Sequence, residues 1–349
     1  MRSLQIGERK ITEDKCYIVA EIGSNHMGDP DICEHMIIEA AKCGVDAVKM
    51  QKRDNKHMFT KTALAREYDN DFSMGKTYGE HREKLDWFGM KEFKRFKTVA
   101  EKHGVEFFAT PFEDKSVDFL CRLGVRLWKI ASCDTGNFPL IEKIAAFCQP
   151  MIISTGGASI KKIEQIYDLV SQYHDNFAFL HCVSTYPNID CQLNLEVIET
   201  LRVMFPDILI GFSSHHSGIL PLVIARTLGA SIIEVHFTMN RSWRGTDHGF
   251  SFEPKGLTQL VEDIHRVSVM IGNGDKEVLS EEISGFVKKM GKGIYLKRPM
   301  KAGERIGKHD LCIKSPADGL SPEKIDDITG SILVNDISTG VALKEGMLI

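Results

Sequence analysis

The feature that most constrains this chain is a rhythm: short apolar runs recur through its first three quarters, most of them followed by a stretch whose apolar residues are spaced as on a helix. Eight runs stand out: YIVAEIG from Tyr17, AVKMQ from Ala47, EFFAT from Glu106, RLWKIAS from Arg126, PMIISTG from Pro150, FAFLHCV from Phe177, ILIGFSS from Ile208 and SIIEVHFT from Ser231. Between them, DKSVDFLCRL, KKIEQIYDLVSQ and VIETLRVMF carry apolar residues three and four apart, the pattern of a helix laid on a sheet. Strands joined by helical crossovers pair in parallel, and eight strand–helix units in about 275 residues predict a (β/α)8 TIM barrel. A doubly wound sheet is the alternative; it usually has fewer strands and opens with a Gly-rich turn.

Three stretches break the rhythm. Between Met50 and Lys91 one crossover is far too long, and long loops on the carboxyl side of barrel strands cover or build a site. Past Gly272 the polar, Gly-bearing segment NGDKEVLSEEISGFVKKMGKGI reads as a linker. From about Tyr295 short β-like pieces alternate with glycine turns, which predicts a small all-β domain. The expected division is a barrel over residues 1–275, a linker over 276–294 and the small domain over 295–349.

Composition removes several classes of function. The net charge is −4 with both signs mixed along the chain, so no basic surface for nucleic acid or an anionic membrane is expected. MRSLQIGERKITEDK has no apolar signal core, and no apolar run approaches the roughly 20 residues that cross a bilayer. The chain reads as soluble and cytoplasmic, acting on a small molecule or on a second copy of itself. Its nine cysteines are scattered without CxxC pairs and read as buried, reduced thiols rather than a disulfide or zinc framework.

In a (β/α)8 barrel the chemistry sits at the carboxyl ends of the strands, so polar residues there are informative. Strand one ends in Glu21, followed by Asn25 and His26; strand two carries Lys49 and Gln51; strand three ends at Thr110. Strand four carries Lys129 and leads to Ser132 and Asp134, strand five ends in Ser154, and strand six leads to Ser184 and Tyr186. Strand seven ends in Ser213, Ser214, His215 and His216, and strand eight holds Glu234 and His236. Two lysines from different strands, surrounded by hydroxyls, favour an anion such as phosphate or carboxylate over a structural ion-pair network. His215 and His236, on adjacent strands, could share a divalent cation, whereas His181, between Leu180 and Cys182, reads as a core histidine. A metal beside an anion pocket would polarise a carbonyl oxygen, which points to addition at an aldehyde or ketone.

Longer motifs are more specific: AEIGSNHMGD, VKMQKRD, SMGKTYGEHREKL, ATPF, WKIASCDTGNFPLI, IISTGGAS, LHCVSTYP, IGFSSHHSG, IIEVHFT and RGTDHGFSFEP. Together they resemble the N-acetylneuraminate (sialic acid) synthases and their nonulosonate relatives over nearly the whole chain. The tail resembles the antifreeze-like, or SAF, domain that closes those enzymes in a domain-swapped homodimer. The resemblance implies condensation of phosphoenolpyruvate with N-acetylmannosamine or a close derivative, giving a sialic acid or related nonulosonic acid and phosphate. It implies His215 and His236 as ligands of a divalent metal, usually manganese, with magnesium or cobalt as alternatives. Lys49, Thr110, Lys129, Ser132, Ser154, Ser184 and Ser213 would hold phosphoenolpyruvate. Glu21, Gln51, Tyr186 and Asp247 would contact the sugar, and Asp134 would stand beside the reacting atoms. Glu21, Asp134, Lys49 and Lys129 are the expected catalytic groups.

Two features bear on the acceptor. The tail stretch IKSPADG places Ser315 where many bacterial members carry an arginine, which leaves legionaminate, pseudaminate or deaminated nonulosonate synthesis as alternatives. SMGKTYGEHREKL resembles the loop of animal enzymes that take the sugar 6-phosphate, and brings Lys76, His81 and Arg82 toward the barrel mouth; pairing of these charges with Glu80 and Glu83 is the competing reading. Outside the family, another phosphoenolpyruvate-dependent keto-acid phosphate synthase lacks such a tail, and a non-catalytic sugar-binding barrel would not need these lysines and histidines.

Overall fold

All eight apolar runs are parallel strands in the computed structural model, which describes residues 2–274, 276 and 281–349. A short hairpin precedes them, β1 (Ser3–Ile6) and β2 (Arg9–Thr12). The barrel strands are β3 (Tyr17–Glu21), β4 (Ala47–Lys52), β5 (Glu106–Pro111), β6 (Trp128–Ile130), β7 (Met151–Ser154), β8 (Phe177–Cys182), β9 (Leu209–Ser214) and β10 (Ile232–His236). They close in chain order, β10 pairing with β3 from Ile232↔Tyr17 to His236↔Glu21.

Side chains two apart on a strand share a face, and that rule divides the barrel interior into two chemistries. Tyr17 and Val19, Ala47, Phe108, Leu127, Ile152, Ala178 and Leu180, Leu209 and Ile232 form one apolar cluster at the amino ends of the strands. The next inward positions are Glu21, Lys49, Thr110, Lys129, Ser154, Cys182, Ser213 and Glu234, which line a cavity at the carboxyl ends. Gly211 belongs to this packing, since a Cβ there would stand 2.3 Å from the Ile232 carbonyl oxygen and 2.5 Å from Leu180 Cδ2.

The hairpin was not foreseen from the sequence. Its strands are four residues each and turn through Gly7 at φ +56°, so neither makes a long apolar run. Leu4, Ile6 and Ile11 join the apolar interior cluster and plug the amino end of the barrel. The alternate face of each barrel strand packs on the helices. Asp114–Leu123 is typical: Glu113 caps it by accepting from the Ser116 N–H, Gly124 ends it at φ +73°, and Val117, Leu120 and Leu123 are buried.

The long crossover after β4 is folded. Short helices span Asn55–Met58 and Lys61–Ala65, a bridge pairs Glu67 with Thr77, and a capping box between Thr77 and Glu80 starts a helix over Tyr78–Asp86. Arg244, beyond β10, donates from Nε to the Asp71 carbonyl at 2.5 Å and ties the insertion to the opposite loop.

The chain divides into two compact units, Met1–Gly272 and Asn273–Ile349. In the segment expected as a linker, 276–294, residues 277–280 lie outside the described residues and a helix occupies Glu281–Met290. Ile283, Phe286, Val287 and Met290 have the i, i+3, i+4, i+7 spacing of one helical face, and Lys288 and Lys289 suit the last turn; Gly285 and the many charges hid the pattern. β11 (Gly293–Leu296) and β12 (Leu311–Lys314) pair antiparallel over a core of Ile294, Leu296, Ile306, Leu311, Leu333 and Leu343. After the Glu281–Met290 helix the second unit is mainly irregular β structure, with one turn of α-helix over Ile325–Ile328. The Ser315 hydroxyl donates to the Met290 carbonyl and accepts from Lys292 Nζ at 2.6 Å.

Among the described residues no helix is long and apolar enough to cross a membrane. All nine cysteines are free, but only Cys16, Cys33, Cys43 and Cys182 are buried; the expectation of buried thiols fails for the others, which lie on outer faces and loops.

Candidate active site

The cavity at the carboxyl ends of the strands has a volume of about 460 Å³. Every residue expected at the site reaches its wall except Asp134 and Asp247. Asp247 lines an adjoining cavity, where Gln51, Arg53, Tyr186 and His236 form the shared border. Asp134 lies just behind Cys133, its Oδ1 accepting from Asn137 Nδ2 at 3.2 Å.

The two lysines are part of a balanced network rather than a bare cationic well. Lys49 Nζ lies 2.7 Å from Glu21 Oε2, 3.1 Å from Thr110 Oγ1 and 3.5 Å from Glu234 Oε1. Lys129 Nζ donates to Ser154 Oγ at 2.6 Å and to the Ile130 carbonyl, with Glu234 at 4.0 Å. Burial works against charge on Lys49, but Glu21 and Glu234 outweigh it and its pKa is raised. On Lys129 burial prevails, helped by repulsion from Lys49, and the pKa is lowered. Burial also opposes ionisation of Glu234, yet Lys129 and Lys49 hold its pKa below the usual carboxylate range. Glu234 is thus the hinge of the network, with a second oxygen that is buried and finds no hydrogen-bond partner.

Hydroxyls rim the same wall. Ser213 donates to Glu234 at 3.3 Å, and Ser132 Oγ accepts from the Gly156 N–H at 3.0 Å. Gly156 keeps this rim open, since a Cβ there would stand 2.4 Å from Ser184 Oγ and 2.8 Å from Ser132 Oγ.

The imidazoles of His215 and His236 face each other with ring centroids 5.4 Å apart. His215 Nδ1 donates to the Val183 carbonyl at 2.9 Å, leaving the Nε2 lone pair free. Burial, and then the neighbouring His236, push the His215 pKa down to about 4, so the ring is neutral at physiological pH. His236 Nδ1 is buried without a hydrogen-bond partner, 3.8 Å from Asp247 Oδ2. Two imidazoles, one of them with an orphaned Nδ1 beside a carboxylate, fit a divalent cation completed by water or substrate. Among the described residues no group of three or more histidines, cysteines, aspartates or glutamates could hold a metal alone.

His181 is a core residue, buried, bonded through Nε2 to the Leu193 carbonyl and stacked on Phe212. Of the loop cations, Lys76 is exposed, and His81 is buried with Nδ1 accepting from the Met74 N–H. Neither lines the cavities at the mouth, whereas Arg82 does. Arg82 pairs with Asp86, not with Glu80 or Glu83.

Arg53 was missed. It follows Ala47, Lys49 and Gln51 at the same two-residue interval, so alternation alone would have pointed it inward. Its guanidinium lies over Phe112 at 3.9 Å and lines both cavities, and burial lowers its pKa to about 10.

A (β/α)8 barrel whose mouth joins buried lysines and glutamates to paired imidazoles, with a small β-rich unit after it, defines an enzyme of the sugar-acid synthase class. The chain belongs to the NeuB family, whose model matches residues 36–276, and a SAF domain matches residues 291–349. It is 39% identical to an N-acetylneuraminate-9-phosphate synthase of Mus musculus, over 90% of this chain and 88% of that one. It is 34% identical to an N,N'-diacetyllegionaminic acid synthase of Legionella pneumophila, over 94% and 93% of the two chains. The crystal structure of an N-acetylneuraminic acid synthetase from Leptospira borgpetersenii, in complex with citrate, superposes with a TM-score of 0.73 at 33% identity, covering 82% of this chain and 95% of that one.

Proposed function

We propose that this chain condenses phosphoenolpyruvate with the aldehyde of an N-acylated mannosamine, giving a nonulosonic acid and inorganic phosphate. The observation that carries the reading is the junction of the Lys49–Glu234–Lys129 network with the facing imidazoles of His215 and His236 on one cavity wall. The products of the mouse and Legionella relatives support the same reaction type.

His215 and His236 would hold the divalent cation, manganese by the family resemblance, which would polarise the aldehyde oxygen when bound. The lysines and the rim hydroxyls orient phosphoenolpyruvate so that its methylene carbon faces the aldehyde. That carbon attacks, a carbon–carbon bond forms, and the aldehyde oxygen takes a proton. Water then adds to the former enol carbon, and the carbon–oxygen bond to phosphate breaks. Burial raises the pKa of Asp134, which suits it to give the aldehyde oxygen its proton and to be reprotonated by the water that adds. Glu21, held between Lys49 and Gln51, fixes the acceptor's approach.

A second observation favours an acceptor that carries a phosphate. Arg53 and Arg82 line the adjoining cavity of about 500 Å³, yet Asp86 is the carboxylate they share, at 3.5 Å from Arg53 Nη1 and 2.7 Å from Arg82 Nε. Asp247 lies on the same wall, so two guanidinium groups and one further carboxylate border this cavity, and guanidinium forks match phosphate oxygens. The 9-phosphate product named for the mouse relative agrees with this.

Incubation with phosphoenolpyruvate, manganese and either N-acetylmannosamine or its 6-phosphate, with phosphate release measured, tests both readings. Release with neither sugar overturns the reaction. A preference for the free sugar that survives Arg53→Leu and Arg82→Leu overturns the phosphate alone.

A further inference from the structure

Asn188 lies outside every cavity wall described above, yet its side chain bonds to two stretches that build the mouth. It is 4% exposed, in the loop that follows β8. Its Nδ2 donates to the Val183 carbonyl at 3.0 Å and to the Thr185 carbonyl and hydroxyl, both at 2.8 Å. Its Oδ1 accepts from the His215 N–H at 3.0 Å, and its own N–H donates to the His215 carbonyl at 3.1 Å. The amide has one workable orientation. Turned over, it would set its NH2 against the His215 N–H and its oxygen against two carbonyls, leaving buried groups unpaired.

The Val183 carbonyl is the node of this arrangement. It receives Asn188 Nδ2 on one side and His215 Nδ1 on the other, so one oxygen uses both lone pairs. The second bond sets the His215 tautomer, with the proton on Nδ1 and the lone pair on Nε2. Asn188 holds that carbonyl in place while gripping the His215 backbone from both sides. The same loop carries Ser184, on the rim of the anion cavity, and Tyr186, whose ring lies 3.9 Å from that of His215.

We propose that Asn188 is a positioning residue, which sets the tautomer and direction of the His215 ring and locks it to the loop bearing Ser184 and Tyr186. The inference rests on the reading of His215 as a metal ligand for its consequence, but not for its geometry. Partners that orient a ligating imidazole typically change metal affinity 10–100-fold when removed, about that size being expected here.

Two variants and two readouts test it. Asn188→Ala removes every side-chain bond. Asn188→Asp keeps an acceptor for the His215 N–H but loses both donors to the carbonyls. Histidine 15N NMR on the full-length, metal-free enzyme at neutral pH should show His215 protonated at Nδ1 in the wild type and a mixture of tautomers in both variants. Manganese binding, followed by the electron paramagnetic resonance of the free ion without substrates, should weaken about 10–100-fold in both variants. A structural role alone would lower the melting temperature and leave tautomer and affinity as they were. The proposal is overturned by a wild-type His215 protonated at Nε2, or by variants that keep the wild-type tautomer and bind manganese within twofold. If the wild type binds no manganese, the metal reading of His215 and His236 falls, and the tautomer measurement still decides the role of Asn188.

Discussion

At the amino ends of the barrel strands, Val19, Ala47, Phe108 and Ile152 meet Leu4, Ile6 and Ile11 of the hairpin in one apolar layer. Two residues further along the same strands, Glu21, Lys49, Thr110 and Ser154 line a charged cavity. The first end gains stability from every methylene it buries. The second holds charges that cost free energy to desolvate and are tolerated only because they are paired. A single strand therefore serves stability at one end and chemistry at the other, and substitutions at the two ends should separate those effects.

The largest effect belongs to the mouth. His215→Ala and His236→Ala should each lower kcat/KM about a thousandfold or more, the several kcal/mol that a carbonyl-polarising cation supplies, with little change in unfolding free energy. Steady-state kinetics alongside urea denaturation would show it, and full turnover by either variant in added manganese would break the comparison. Next comes the apolar end. Phe108→Ala should cost about 3–5 kcal/mol of stability and leave kcat and KM near wild type. A loss of activity without a loss of stability would mean that the two ends are not independent.

The third effect is acid sensitivity. His26 is buried against Phe88, and burial lowers its pKa to about 4, against about 6.5 in the unfolded chain. Below pH 6.5 the unfolded chain takes up a proton that the native ring refuses, so stability falls as pH drops toward 4 and levels off beneath it. The loss is of order 3 kcal/mol and should flatten in His26→Gln, measured by denaturant unfolding at a series of pH values. The smallest effect is at the rim. Gly156→Ala would push a methyl group toward Ser184 and Ser132, and should raise KM for phosphoenolpyruvate about fivefold, roughly 1 kcal/mol. An unchanged KM would remove the rim hydroxyls from the anion site.

The barrel was legible because its signal is long and repeated: eight apolar runs with polar residues at their carboxyl ends. Glu234 stood in plain sight two residues before His236, but its place between Lys49 and Lys129 depends on barrel closure, which no local pattern states. Arg53 was legible in principle, since alternation carries inward facing from Gln51 to the next odd position. Asn188 was not, because its partners are at Val183, Thr185 and His215, and its last contact spans 27 residues. The hairpin and the Glu281–Met290 helix escaped for a different reason: both are short, and charge dilutes their apolar periodicity.

The hairpin plug also sets an order on folding. Leu4 and Ile6 share their cluster with Leu209 and Ile232, and β3 gains its second neighbour when β10 has been made. During synthesis the first strands of the chain therefore wait for the last strand of the barrel, with apolar side chains and an unpaired strand edge exposed for more than 200 residues of elongation. Removing the hairpin would take Leu4 and Ile6 out of that wait but leave the finished barrel open at its base, so a segment exposed during synthesis becomes the seal once synthesis is complete.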